Sequence, residues 1–132
     1  MSRIVSLSEA ASIALHGIIL IARAKDQLNV VAISEATKSS KHHVAKIMQR
    51  LVKENFLESH RGPSGGFSLR KDPKDITFLQ VYEAIEGKIE IAHCPLDKPI
   101  CPFGKCIMQN TTKIMTMEFH KYLKEQTLDK YI

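Results

Sequence analysis

Three cysteines, Cys94, Cys101 and Cys106, fall in the run His-Cys-Pro-Leu-Asp-Lys-Pro-Ile-Cys-Pro-Phe-Gly-Lys-Cys, and the 132-residue chain has no others. Prolines at 95, 99 and 102 and Gly104 break any regular helix there, because proline lacks the N–H and fixes φ. The segment is therefore expected to be a short loop that bunches three sulfurs. An odd number of thiols in one loop suits a metal or a cluster better than disulfides.

A second set of residues could do different chemistry. Val44, Ile47, Met48, Leu51 and Val52 recur at the spacing of one buried helical stripe. The opposite stripe carries His42, Ala45, Lys46, Gln49 and Lys53, with Arg50 beside it and Lys41 at its start. Lysine and arginine neutralise phosphates; lysine also reads guanine edges, and glutamine reads adenine. His42, Lys46 and Gln49 are best placed for bases, and Lys41, Lys46, Arg50 and Lys53 for phosphates.

These residues need elements to hold them. Ser6-Leu7-Ser8-Glu9 fits a capping box, with Ser6 as N-cap and Glu9 reaching back, ahead of a helix over about 7–24. That helix is apolar nearly all round, so it is expected to be buried, with His16 as a satisfied core histidine. After a break at 26–29 come a short helix over about 31–38 and, from Ser39-Ser40, a third over about 41–55. Two short helices joined by a tight turn, the second basic outside, predict a helix-turn-helix.

Residues 56–60 and 67–70 are strand-like, and Arg61-Gly62-Pro63-Ser64-Gly65-Gly66 is a turn between them. The result is a β-hairpin wing behind the recognition helix. Gly65 and Gly66 let backbone approach a phosphate closely, and Arg61 can enter a minor groove. Thr77 and Gln80 form a further capping box for a helix that Gly87 ends. From Cys106 to about Thr127 there is neither Pro nor Gly, which predicts a long amphipathic helix suited to dimerisation.

Composition sets limits. Residues 1–71 carry eleven Lys/Arg against five Asp/Glu, and residues 72–132 carry eight against nine, so the net charge of +5 comes from the first half. That is how a nucleic-acid footprint looks. The longest apolar tract is far shorter than the roughly 18 residues a membrane span needs, and the N-terminal residues lack a signal-peptide layout. A cytoplasmic protein with reduced thiols and no membrane partner is expected. No nucleophile elbow, P-loop or GxGxxG occurs, and no small-molecule substrate is evident, so an enzyme is not expected.

The order of parts resembles one family over essentially the whole chain. Arg61-Gly62-Pro63-Ser64-Gly65-Gly66-Phe67-Ser68-Leu69, then Pro73 and Ile76-Thr77, then Glu83-Ala84-Ile85-Glu86-Gly87, then three cysteines ahead of a long helix, resemble the IscR/NsrR family. These are winged-helix transcriptional regulators of the Rrf2 type. The resemblance implies a mainly α fold with a small β-hairpin wing, in which a winged helix-turn-helix domain is followed by a long C-terminal dimerisation helix. It divides the chain into 1–87 for DNA, 88–106 for the cysteine loop, and 107–132 for the dimerisation helix and tail. It implies a homodimer that binds double-stranded operator DNA, as a repressor or activator.

In the cluster-bearing members the loop cysteines hold an iron–sulfur cluster that senses nitric oxide, redox state or iron–sulfur supply. The matching residues are Cys94, Cys101 and Cys106, for a two-iron or four-iron cluster that aerobic purification could strip. One branch takes its fourth ligand from a histidine three residues after the last cysteine, where this chain has Gln109, a poor iron ligand. Another uses a carboxylate near the start of the first helix of the partner subunit, and Glu9 stands there. His93, Asp97 and His16 are outside candidates. Two alternatives keep the DNA half intact: structural zinc on the three thiolates with His93 or a carboxylate, or a cluster-free thiol switch.

Overall fold

The computed structural model describes residues 1–92, 94–96 and 100–132, and the readings for His93 and Asp97 lie outside those residues. The chain is mainly helical with one two-stranded wing. In order come α1 (Glu9–Arg23), α2 (Val30–Thr37), α3 (Lys41–Lys53), β1 (Leu57–His60), β2 (Gly66–Leu69), α4 (Phe78–Glu86) and α5 (Thr111–Glu125), with 3-10 turns at Pro73–Asp75 and Leu128–Tyr131.

Helix α1 is the axle. Ala11, Ile13, Ala14, Leu15, Gly17, Ile18 and Ile21 are all buried, and α2, α3, α4 and β2 pack around it. So much apolar surface forces burial on several sides, as the sequence predicts. Its start differs from expectation. Ser8, not Ser6, is the N-cap: its hydroxyl oxygen accepts from Ala11 N at 3.0 Å. The same hydroxyl donates to Glu86 Oε1 at the end of α4. That tertiary bond favours Ser8, and it leaves Glu9 as the first helical residue with no capping role. His16 is also not a core residue. It lies exposed on α1, with Nδ1 2.7 Å from the Ser12 carbonyl oxygen.

Helix α3 buries Val44, Ile47, Met48 and Leu51, the stripe read from the sequence. Ser40 caps it by accepting from His43 N at 3.1 Å. The turn before it needs a left-handed residue, and Lys38 takes that role at φ 54°. Thr77 and Gln80 form the predicted capping box, with bonds of 2.9 and 3.1 Å that contribute about 1 kcal/mol to α4.

Helix α5 begins five residues later than expected. Gln109 and Asn110 take left-handed φ values of 47° and 66°, which ends the turn after Cys106 before α5 can start. Neither residue is a glycine or proline, so the break has no punctuation in the sequence. At its far end the chain returns to the core. Phe78 N donates to Gln126 O at 2.9 Å, Leu128 N donates to Ile76 O at 3.1 Å, and Leu123 and Leu128 are buried.

Candidate nucleic-acid interface and cysteine cavity

The outer stripe of α3 is open. Lys41, His42, Lys46, Gln49, Arg50 and Lys53 are all exposed, because burying the opposite stripe turns them outward. Arg50 is partly committed to the protein, since its Nε donates to the Ala84 carbonyl of α4 at 3.1 Å. Glu54 follows Lys53, and no acidic residue interrupts the stripe between Lys41 and Lys53.

Strands β1 and β2 pair antiparallel, Leu57 opposite Leu69 and His60 opposite Gly66. Arg61 leaves β1 fully exposed. Two residues that the sequence did not single out fix the wing. Leu28 pairs with Phe67 through bonds of 3.0 and 2.8 Å, and Gln27 Nε2 donates to the Ser64 carbonyl at the wing tip. The α1–α2 connection thus acts as a third edge of the sheet.

That edge explains Gly66, and the backbone of the turn itself explains Gly65. A Cβ on Gly66 would stand 2.6 Å from Leu28 O, and one on Gly65 would stand 2.4 Å from His60 O. Both contacts are with backbone, so the wing's own packing excludes a side chain. Gly66→Ala is expected to push Leu28 away and cost about 2 kcal/mol, as overpacking does. For a chain of this size that lowers the melting temperature by roughly 5–10 °C. Thermal unfolding followed by circular dichroism checks it; an unchanged midpoint would mean that the Leu28 edge yields freely.

The three cysteines line one cavity of about 330 Å³ with Leu96, Ile100, Phe103, Ile107 and Met108. All three are half-buried thiols. Among the described residues no three His, Cys, Asp or Glu side chains converge as a single-ion site. The sulfurs share a cavity rather than a point. Cys106 has a shifted thiol. Backbone N–H groups of Met108, then Gln109, and more weakly Asn110, hydrogen-bond to its sulfur, and Cys101 adds a side-chain bond. Together they hold its thiol below the ordinary value, against an opposing effect of burial that outweighs the Asn110 or the Cys101 bond taken singly. Successive amides converging on one sulfur in this way form a nest of the kind that holds anions.

Gln109 therefore serves by its backbone. Glu9 lies apart from any cap: its Oε1 is 2.9 Å from His43 Nδ1 on α3, with the Glu9 side chain 68% exposed. The two residues lie 34 apart in the chain, too far for a local sequence signal. The carboxylate is thus anchored to the recognition helix by one oxygen.

Comparison with known proteins identifies the fold and the family. A family model described as "Rrf2: Iron-dependent Transcriptional regulator" matches residues 7–132. The HTH-type transcriptional regulator NsrR of Bacillus subtilis is 34% identical over 74 residues, 55% of this chain and 51% of that protein. Matches to the first curated relatives span about half of their length or less. Among solved structures, the global cysteine regulator CymR of B. subtilis superposes with a TM-score of 0.78 at 19% identity, covering 96% of this chain and 95% of that one. IscR of T. potens gives 0.71 at 16% identity, covering 95% and 84%. At those identities the structures speak for the winged-helix fold, not for a ligand. The family match over nearly the whole chain goes further: this protein belongs to the Rrf2 family of transcriptional regulators.

Proposed function

We propose that the chain is a homodimeric regulator that binds double-stranded operator DNA through α3 and the wing, under the control of an iron–sulfur cluster on Cys94, Cys101 and Cys106. The observation that carries the cluster is the Cys106 sulfur, facing backbone amides in a cavity it shares with two more thiols. A thiolate is the form that ligates iron, and the amides stabilise it before any metal arrives. The apolar wall of Leu96, Ile100, Phe103 and Ile107 limits water, one of the levers on cluster potential. The family's description as iron-dependent points the same way. When bound, the cluster would supply a group that reacts with nitric oxide and oxidants.

The dimer reading rests on apolar surface. Ile114, Met115, Met117 and Tyr122 are exposed on α5, in sequence with exposed Ile100, Phe103, Ile107 and Met108 of the loop. A patch that continuous fits a partner subunit. Tyr82 meets Phe119 edge-on at 5.7 Å, so α5 packs on α4 by one side and offers the other.

Glu9 of the partner subunit is the proposed fourth ligand. His43 bonds one Glu9 oxygen and leaves the other for iron, so it would orient the carboxylate. Glu9→Gln is expected to shorten the lifetime of the cluster roughly tenfold, and His43→Asn to shorten it less. Loss of absorbance under air reads both, and equal lifetimes in all three proteins would remove Glu9 from the ligand set.

The deciding experiment is an anaerobic absorption spectrum with iron and sulfide assays, before and after a nitric oxide donor. A charge-transfer band that nitric oxide bleaches is expected. Protein that stays colourless after reconstitution with iron and sulfide would refute the cluster. The Cys101–Cys106 hydrogen bond favours one second reading, a cluster-free thiol switch, which thiol titration before and after oxidation would then reveal.

A further inference from the structure

A groove between α1 and α2 shares no residue with the α3 face or the cysteine cavity. It encloses about 440 Å³, within the ~300–1,000 Å³ of small-molecule sites. One side is a stripe of α1, and the other is Ala36 and Thr37 at the end of α2. No Asp or Glu lines it.

Thr37 and Ser12 are engaged within the protein, Thr37 donating to the Ile33 carbonyl at 2.8 Å and Ser12 meeting His16. That leaves Arg23 and one nitrogen of His16 to face the groove. Arg23, in the last turn of α1, is exposed and has no hydrogen-bond or ion-pair partner among the described residues. His16 bonds the Ser12 carbonyl through Nδ1 at 2.7 Å. A carbonyl oxygen only accepts, so Nδ1 carries a proton and Nε2 of the neutral ring is left as an acceptor. Two helical turns separate His16 from Arg23, about 10 Å along the axis. Ile19, Leu20 and Ala36 supply apolar wall.

From this arrangement we infer that the α1–α2 groove binds a small organic acid: its carboxylate on Arg23, its short apolar chain against Ile19, Leu20 and Ala36, and a terminal hydroxyl donating to His16 Nε2. The occupant would bridge α1 to α2, whose end leads through Lys38 and Ser40 into the recognition helix, so occupancy bears on how α3 is held. The inference is independent of the cluster.

The test uses the full chain and 6-hydroxyhexanoate, with hexanoate and 1-hexanol for comparison, followed by backbone amide shifts in NMR. Saturable shifts confined to residues 12–23 and 36–38 are expected, strongest for the hydroxy acid and absent for hexanol. Arg23→Gln should weaken binding roughly tenfold or more, the loss of one charge-assisted hydrogen bond. His16→Phe should abolish the preference for the hydroxy acid over hexanoate while leaving hexanoate bound. No saturable shift below about 10 mM would overturn the proposal. So would binding that Arg23→Gln leaves unchanged, or an Arg23→Gln loss confined to DNA affinity, which would make the arginine a phosphate contact.

Discussion

Replacing Lys46 and Gln49 together by alanine is expected to lower operator affinity roughly a hundredfold and to leave the fold intact. Both side chains are exposed, on the stripe opposite buried Val44, Ile47, Met48 and Leu51. Exposed substitutions of this kind shift stability by no more than about 0.5 kcal/mol. A side chain on a base edge is worth about 1–3 kcal/mol of discrimination, and about 2.8 kcal/mol in total is a factor of a hundred.

Salt separates base contacts from phosphate contacts. Each phosphate that a lysine neutralises steepens the slope of log K against log salt by about 0.9. Lys53→Ala should therefore reduce that slope by about one and weaken all sequences alike. Gln49→Ala should leave the slope unchanged and relax preference at one base pair. Arg50→Ala carries an extra consequence, because its Nε also holds the Ala84 carbonyl of α4. It should lower stability as well as affinity. Fluorescence anisotropy on an operator selected from random DNA and on its single-base variants gives the affinities and slopes, thermal unfolding gives the stability, and a double variant that binds like the wild type would remove α3 from the interface.

What could be read from the chain, and what could not, divides along local and tertiary causes. The α3 stripe was legible because one helical period sorts every large apolar residue to the same side. The Thr77–Gln80 box was legible because both partners lie within one turn. Ser6 and Ser8 could not be told apart locally, since the deciding partner, Glu86, is 78 residues away. The start of α5 was hidden because Gln109 and Asn110 adopt left-handed backbone without glycine. His16 was misplaced because an apolar helix suggests burial everywhere, yet one stripe of α1 faces the open groove. Leu28 joins the wing by a single bridge, too short to leave a strand pattern.

Cys94→Ser is the substitution that should most sharply separate a cluster from a thiol switch. A cluster held by three thiolates and a carboxylate cannot spare one, so the serine variant should lose all visible absorption and bound iron. Cys101→Ser and Cys106→Ser should do the same. A thiol switch behaves otherwise: its working pair is Cys101 and Cys106, already joined by a hydrogen bond, and Cys94→Ser should leave their oxidation intact. The three variants should fold alike. Each cysteine lies only half-buried in a loop outside the main core, so exchanging sulfur for oxygen removes little packing. Identical melting curves of the cluster-free proteins would confirm that any change in DNA affinity comes from the sulfurs. Cys106→Ser has one further signature. The amides of Met108 and Gln109 would then face a hydroxyl instead of a thiolate-prone sulfur, so the variant should lose the thiol that those amides make more acidic. Alkylation by iodoacetamide near neutral pH should slow most for that variant. Equal slowing in all three would show that the amide nest does not activate Cys106, and the observation on which the cluster reading rests would fall with it.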